Sequence, residues 1–447
     1  MEIMQMTPQY DKMCSVPVWQ SVLKSAFPAM ASMLAASVYN LADTYFVSRL
    51  GSGATGAVGI VFSLMALIQA VGFTVGMGAG SVISRTLGKK EKEGAAVVAA
   101  SALLTGILSG GLITLFGYVF RIPMLRLFGA SDTILPDAAA YASYILYASP
   151  VMCGSFVLNN LLRAEGHTGY GLAGILAGGF FNILLDPFLI FGLRLGIKGA
   201  AIATAAGQTA GFLVLLSFYL TKKTVLLLQW KKIARDRQVY ADFLKNGVPS
   251  LFRQGLAAVS AVLLNRAACA YGDRTVAAVS VAGRIFMVVF CLVIGYGQGY
   301  QPVAGYNYGA GDPDRVRKSF WFTVLTSTGV AAAAAAVLYG FAPGLVHLFA
   351  SGDNEVERTA QTALQMQSVV LPLLPLGVVA NMTFQAVGKP VTAAFLASCR
   401  QGVFFLPFLF LFRKICGVTG ILVAQPAADV ATFLICIPFL WSFLKKI

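Results

Sequence analysis

Two acidic side chains lie deep within apolar stretches, and they are the residues with the clearest capacity for chemistry. Asp186 lies in an apolar run from about Leu172 to Phe191, and Asp43 lies in the first long apolar segment. An ionised carboxylate near the centre of a bilayer costs roughly 2.5 kcal/mol or more, so such residues usually bind ions, protons or charged partners. The pattern therefore predicts a buried ion site that uses both carboxylates.

The neighbours of these acids strengthen that prediction. Asn182 precedes Asp186 by four residues and Tyr39 precedes Asp43 by four, so on helices each pair shares one face. Pro187 removes a backbone donor, which leaves carbonyl groups available beside Asp186. We predict a kink or hinge there, and another at Pro28 in the first apolar segment.

An amide and a hydroxyl extend the possible ligand set. Asn182, together with Thr204 in the next apolar segment, would complete an oxygen-rich Na⁺ site with the two carboxylates. Equally, a carboxylate held away from water can take up a proton. The sequence leaves H⁺ and Na⁺ open as coupling ions, and we expect no other cofactor. The alternative is that each acid only bonds a neighbouring helix.

The elements that must position these residues are membrane helices. Of the 447 residues, 57% are hydrophobic and 11% charged, and apolar stretches of 18 residues or more recur. We predict twelve spans in an all-α polytopic protein. Residues 1–17 lack the basic-then-apolar layout of a signal peptide, so we expect the first span to be retained.

The net charge of +15 does not indicate nucleic-acid binding, because the basic residues collect in alternate short loops. Twenty Lys and Arg fall on the side of the termini and nine on the opposite side. This bias predicts a plasma-membrane protein with both termini in the cytoplasm.

The two halves of the chain repeat at a shift of 221 residues. Pro28 then meets Pro249, and Gly88 meets Gly309. Six spans per repeat predict two lobes related by a pseudo-two-fold axis along the membrane normal. We place the amino-terminal lobe at 1–221, a basic cytoplasmic linker at 222–246 and the carboxyl-terminal lobe at 247–447.

The second half carries a different set of charges. Arg253, Arg284 and Arg400 lie in apolar surroundings, and Asp429 is the one acid within those spans. A buried arginine needs a partner, so one interpretation is an ion-pair network that stabilises the lobe. The other is that an unpaired arginine faces the cavity and receives an anionic or zwitterionic substrate.

Five motifs together resemble the multidrug and toxic compound extrusion (MATE) transporters over nearly the whole chain. They are Pro28 with Tyr39 and Asp43, the turn Arg163-Ala164-Glu165-Gly166, the run Asn182–Pro187, the run Gly199–Thr204 and the run Gly305–Ala310. The resemblance implies a V-shaped pair of six-helix lobes that exports organic cations and drugs in exchange for H⁺ or Na⁺. It also implies an amino-lobe cation site at Asp43, Asn182, Asp186 and Thr204, with Tyr141 nearby.

The absence of internal acids in spans seven and ten departs from NorM-like members, so the resemblance favours the DinF-like branch. We expect a monomer that binds amphipathic organic cations and the bilayer, but no nucleic acid. The alternatives are an exporter of lipid-linked precursors, organic anions or zwitterions from the same superfamily, an intramembrane transferase, or a channel. Twelve spans argue against the lipid exporter, and the sequence offers no metal-binding Asp pair or catalytic His for a transferase.

Overall fold

The chain is almost entirely helical in the computed structural model, which describes residues 8–350 and 353–446. The helices are α1 (Pro8–Cys14), α2 (Val18–Ser48), α3 (Ser52–Gly88), α4 (Lys92–Val119), α5 (Arg121–Leu127), α6 (Leu135–Ala164), α7 (Thr168–Pro187), α8 (Ile197–Leu220), α9 (Arg237–Cys269), α10 (Asp273–Gly309), α11 (Pro313–Gly340), α12 (Ala342–Ala350), α13 (Asn354–Val370), α14 (Leu374–Ala386), α15 (Pro390–Ser398) and α16 (Phe405–Lys446). Short π-helical turns cover Phe188–Gly192 and Cys399–Val403.

The described residues form eleven continuous segments that are long and apolar enough to span a membrane. The last segment runs over 57 residues, from Pro390 to Lys446, which is far more than one crossing needs. Its helix breaks at Gly417, whose φ is 60°. A Cβ on Gly420 would lie 2.0 Å from the carbonyl oxygen of Phe412, so the chain turns back on itself here. The segment therefore supplies two passes, and the twelve predicted spans are present.

The repeat seen in the sequence is also a repeat of backbone conformation. Helices α3 and α10 are each 37 residues long, and each follows a glycine with positive φ, Gly51 at 113° and Gly272 at 98°. Gly196 before α8 has φ 55°, which matches the break at Gly417 in the second half. These pairs are separated by the same 221 residues. We call α2–α8 the first lobe and α9–α16 the second lobe.

The two lobes touch through backbone rather than through long side chains. A Cβ on Gly78 in α3 would lie 2.0 Å from the carbonyl oxygen of Phe243 in α9. A Cβ on Gly309 in α10 would lie 2.1 Å from the carbonyl oxygen of Arg85 in α3. Small residues allow such close approach between membrane helices, where van der Waals packing drives association. One hydrophobic core accordingly runs across both lobes, and further cores fill each lobe separately.

Both ends of the described chain lie at the same face of the molecule, which we call the terminal face. Arg315, at the start of α11, donates to the carbonyl oxygen of Val16 at 2.7 Å. Arg317, two residues further along, donates to the carbonyl oxygen of Leu444 at 2.8 Å. An even number of spans predicts this arrangement. Whether the terminal face is cytoplasmic stays a prediction.

The short helix α1 bridges the two lobes at the terminal face. Gln9 and Met13 are buried against Gly166, in the turn that follows α6 of the first lobe. The carbonyl oxygen of Met13 accepts a hydrogen bond of 3.2 Å from Asn307 in α10 of the second lobe. This helix is therefore in contact with both halves of the repeat.

The segment between the lobes is anchored to the first lobe. The Glu165 carboxylate accepts hydrogen bonds from the backbone N–H groups of Val225 and Leu226, at 2.7 and 3.1 Å, and from the hydroxyl of Tyr219 at 2.7 Å. Burial raises the pKa of Glu165 from 4.5 to about 7, and these three donors oppose the shift. Helix α9 already begins at Arg237, so the connection is shorter than the predicted 222–246 segment.

Candidate functional site

The two acids singled out in the sequence come together inside the first lobe. Asp43 in α2 is 6% exposed, and Asp186 in α7 has no exposed surface. Helices α2 and α7 pack against each other here: a Cβ on Gly179 in α7 would lie 3.2 Å from the Cβ of Tyr39, one turn before Asp43. Two carboxylates in one buried region resist being ionised together unless a cation or a proton neutralises one of them. A proton or a cation would therefore stabilise the pair.

The atoms around the pair are short of hydrogen-bond partners. Within the described part of the chain, nothing bonds to Oδ1 of Asp43, to either carboxylate oxygen of Asp186, or to either polar atom of the Asn182 amide. Leaving a buried polar atom unpaired costs about 1–3 kcal/mol, and more for a charged group. Several such atoms at one place therefore mark a position where a proton or a small cation would be stabilised.

Hydroxyl groups close the site on the side of α6 and α8. The Tyr141 hydroxyl, fully buried in α6, lies 3.2 Å from the Thr204 hydroxyl oxygen. Thr204 also donates to the carbonyl oxygen of Ala200 at 3.0 Å. Thr204 and Tyr141 are thus held in place by one another, next to the acids. The structure brings together Asp43, Asn182, Asp186, Thr204 and Tyr141 as predicted from the sequence, and their role as ion ligands stays a prediction.

Local backbone features explain why α7 and α8 meet at this point. Helix α7 ends at Pro187 and is followed by the π-helical turn Phe188–Gly192. A Cβ on Gly207 in α8 would lie 3.0 Å from the Cβ of Asn182 and 2.7 Å from the carbonyl oxygen of Gly178. Glycine at this position therefore lets α8 press against the face of α7 that carries Asn182.

Pro28 lies inside α2, which continues helically from Val18 to Ser48 around it. Ser32 donates to the carbonyl oxygen of Pro28 at 2.8 Å, and this bond satisfies one acceptor near the proline. The predicted hinge roles of Pro28 and Pro187 remain predictions, because a hinge is a property of two conformations.

A cavity of about 180 Å³ lies beside the site and extends along the first lobe toward Arg163. Tyr39, Asn182 and Thr204 line it near the acids, and Asn159 and Arg163 line it at the other end. The predicted site residue Tyr39 thus belongs to this inner cavity.

The second lobe holds the predicted ion pair. Arg400 Nε donates to Asp429 Oδ1 at 2.7 Å, and Gln425 donates to the same oxygen at 2.9 Å. The Asp429 side chain has no exposed surface, and the Arg400 guanidinium carbon lies 4.1 Å from the centre of the Phe290 ring. This pair lies within packed helices, which fits the stabilising interpretation.

Arg253 has a different environment. It donates to the amide oxygen of Asn381 at 3.2 Å within the second lobe and approaches the Met77 sulfur of the first lobe at 3.1 Å. The predicted network of arginines around Asp429 therefore includes Arg400 and not Arg253. The Arg253 side chain instead contacts residues of both lobes.

Arg163 was noted in the sequence only as part of a family motif, without a partner or a role. Its guanidinium donates to Gln298 in α10 at 2.7 Å and to Asn159 at 2.9 Å, so it too joins the lobes. The sequence did contain one indication of this environment. Asn159 and Asn160 lie four and three residues before Arg163 on the same helix, and their amide oxygens face its guanidinium. Its partner in the second lobe could not be found from local spacing.

Arg284 lies on α10 and lines a second cavity, of about 420 Å³, between the lobes. This outer cavity is formed by the parts of α2, α3 and α10 that lie farthest from the terminal face. Arg284 is exposed, unlike Arg163 and Arg253. Its environment favours the interpretation that a cavity-facing arginine receives an anionic or zwitterionic substrate, rather than that of a stabilising ion pair.

The architecture and the site define a class of protein: a helical membrane protein of two repeated lobes with a buried pair of carboxylates in one lobe. The MatE family model matches the chain over residues 28–188 and again over residues 249–411, which together exceed half of it. The chain belongs to the MatE family, whose members are transporters and not enzymes. It is a multi-pass plasma-membrane protein.

Relatives and solved structures agree with this assignment. The chain is 25% identical over 423 residues to multidrug export protein MepA of Staphylococcus saprophyticus, covering 94% of this chain and 93% of that one. It is also 25% identical over 424 residues to MepA of Staphylococcus aureus strain MSSA476, with the same coverage. An outward-facing structure of a multidrug resistance MATE family transporter of the MOP superfamily superposes with a TM-score of 0.93 at 26% identity, over 99% of this chain and all of that one. The predicted twelve-helix, two-lobe fold is confirmed, and placement in the DinF-like branch stays a prediction.

Proposed function

We propose that this chain is a secondary active exporter of drug-like molecules, driven by antiport with H⁺ or Na⁺. The observation that carries the proposal is the group of unsatisfied buried oxygens at Asp43 and Asp186. Its MepA relatives bear the name of multidrug export proteins, which supports drug-like molecules as substrates. The finer expectation, that the substrates are amphipathic organic cations, depends on the family resemblance.

The mechanism follows from the electrostatics of the acid pair. Uptake of H⁺ or Na⁺ at Asp43 and Asp186 removes their mutual repulsion and satisfies the orphaned oxygens. Release restores the repulsion, so the two conformations of the first lobe differ in stability according to whether the ion is bound. Export is coupled to ion entry because ion and drug stabilise different conformations.

Alternating access also needs contacts that close one face of the protein, and the contacts between the lobes can do this. The glycine contacts and the Arg163–Gln298 bond hold the lobes together at the terminal face, while the outer cavity lies toward the opposite end. Opening at the terminal face would break these contacts. The cycle then alternates between this arrangement and one in which the substrate can enter from the terminal side.

The choice between H⁺ and Na⁺ depends on the same oxygens. Hard cations such as Na⁺ take carboxylate, amide and hydroxyl oxygens as ligands, and Asp43, Asp186, Asn182 and Thr204 offer all three kinds. A shared proton would satisfy the two carboxylates alone. Transport into vesicles with a pH gradient and a Na⁺ gradient imposed separately distinguishes the two.

The test of the proposal is ethidium export from cells that carry Asp43→Asn or Asp186→Asn. We expect both variants to lose export, because the neutral amide no longer cycles between charged and neutralised states. The matched control is Asp132→Asn, an acid on the surface whose side chain is 91% exposed. Undiminished export by Asp43→Asn would refute the assignment of the ion site.

A further inference from the structure

The outer cavity has the size and the lining of a small-molecule site. It occupies about 420 Å³ between the lobes. Its walls are mostly apolar, with Leu41, Phe62 and Met287 among them, and a few polar groups are set into these walls. Cavities of some 300 Å³ or more with this mixture commonly bind drug-sized molecules, and the polar groups fix their orientation.

Arg284 is the one charged side chain among the described residues that line this cavity. In the described part of the chain, no carboxylate lies within 4 Å of its guanidinium. The acid that this half holds within its spans, Asp429, already pairs with Arg400. A guanidinium that lines an apolar cavity and has no carboxylate partner is free to bind an acidic group of a ligand through its planar fork of donors.

Three polar side chains of α2 face Arg284 across the cavity. They are Ser37, Asn40 and Thr44, which lie three to four residues apart and so share one face of the helix. The hydroxyls of Ser37 and Thr44 already bond to backbone carbonyl oxygens of α2. None of the three carries a negative charge, so nothing on this wall competes for the guanidinium.

The outer cavity also borders the inner one. Asn40 and Phe62 line both cavities, so a thin partition separates Arg284 from the space that leads to Asn182 and Thr204. A substrate whose acidic group lies at Arg284 would therefore pack against the wall that the two cavities share.

We propose that the outer cavity binds substrates that carry a carboxylate or a similar acidic group, and that the Arg284 guanidinium holds this group. The inference rests on the proposed export function and adds zwitterions and organic acids with an apolar body to its substrate class. Charge-assisted and bidentate bonds from guanidinium to carboxylate are among the strongest that a side chain makes. Arg284 is thus a specificity-determining residue.

The test uses two fluorescent dyes that differ at one group. Rhodamine B carries a free carboxylate, and its ethyl ester has the same apolar body and the same cationic centre. Binding of each dye to the purified full-length protein in detergent is followed by fluorescence anisotropy. The proteins are the unaltered chain, Arg284→Gln, Arg284→Lys and Arg266→Gln. Arg266 is an exposed arginine on α9 that does not line the cavity.

We expect Arg284→Gln to raise the Kd for rhodamine B by about tenfold or more and to change the Kd for the ester by less than about threefold. Arg284→Lys should recover part of the affinity for the acid, because it keeps the charge but not the planar fork. Arg266→Gln should bind both dyes as the unaltered chain does. Equal melting temperatures of the variants exclude misfolding as a cause.

An equal loss of both dyes in Arg284→Gln would overturn the inference, and so would no loss of either. It would also be overturned if the unaltered chain bound the acid no more tightly than the ester. Export is measured separately, in vesicles loaded with either dye. If the acid binds through Arg284 but neither dye is exported under any ion gradient, the export function fails while the binding site stands.

Discussion

Arg163 of the first lobe donates a hydrogen bond of 2.7 Å to Gln298 of the second lobe, and both side chains are buried. The guanidinium has no acidic partner within 4 Å in the described part of the chain. Its charge is met by the amide oxygens of Asn159 and Gln298 instead. A neutral partner can be released at lower cost than a carboxylate, which suits a contact that would break in the proposed transport cycle.

Removing the acceptor in Gln298→Leu should therefore weaken closure of the terminal face. A hydrogen bond to a charged group contributes about 1.5–3 kcal/mol, so we expect a larger population of the open arrangement. Spin labels at the exposed positions Glu91 and Asp314, one beside each lobe, would report a longer distance. Gln229→Leu, in the exposed segment between the lobes, is the control. An unchanged distance distribution in Gln298→Leu would count against this gate.

Gly78→Ala should hinder closure by a different route. The added Cβ would lie 2.0 Å from the Phe243 carbonyl oxygen, and backbone cannot give way as a flexible side chain does. We expect ethidium export to fall about tenfold, in line with an overpacking cost of roughly 1–3 kcal/mol. The control is Gly329→Ala, where a Cβ meets nothing within 4 Å and the helix gains propensity. Similar export by both variants would mean that the lobes do not need to approach this closely.

The Arg400–Asp429 pair gives a prediction about stability. Asp429→Leu leaves Arg400 buried without its partner and should lower the free energy of unfolding by about 3–5 kcal/mol. The double variant Arg400→Met with Asp429→Leu should recover much of this loss, because neither charge is then left alone. Thermal unfolding in detergent measures both. Additive losses in the double variant would show that the two charges do not depend on each other.

The raised pKa of Glu165 predicts that the stability of the folded protein depends on pH. Its pKa is raised by burial from 4.5 to about 7, so the folded protein binds a proton more tightly than the unfolded chain. The resulting stabilisation is complete below about pH 4.5, and it is lost as the pH rises through about 7. A shift of this size corresponds to at most about 3 kcal/mol. Glu165→Gln should flatten this part of the profile.

The check is the melting temperature between pH 4.5 and pH 8. The control is Glu93→Gln, because Glu93 is an exposed acid whose side chain is 84% accessible and pairs with Lys232 at the same face. A profile for Glu165→Gln that falls as steeply as that of the unaltered chain would contradict the prediction.

The acid pair could be predicted from the sequence because the cost of a charge in an apolar span is a local property. Asp43 and Asp186 stand out in any reading of the chain, and the helical spacing of Asn182 and Tyr39 adds their neighbours. The twelve spans and the repeat follow from composition and from glycine positions for the same reason. Long-range pairing does not follow from such patterns.

The arginines illustrate that limit. From the sequence, Arg253, Arg284 and Arg400 were equally possible partners of Asp429. The packing of α16 against the π-helical turn Cys399–Val403 brings Asp429 to Arg400. The partners of Arg163 include a residue 135 positions away. The predicted linker was too long because charged and amide side chains interrupt the run from Arg237 to Asn246, although Asp236 caps this run as the first turns of α9.

The position of α1 has a practical consequence for following transport in real time. Gln9 and Met13 pack on the first lobe, while the Met13 carbonyl oxygen accepts a hydrogen bond from Asn307 of the second lobe. Separation of the lobes at this face would therefore break one set of these contacts. A single environment-sensitive fluorophore placed at position 12 should therefore change its emission when the halves separate.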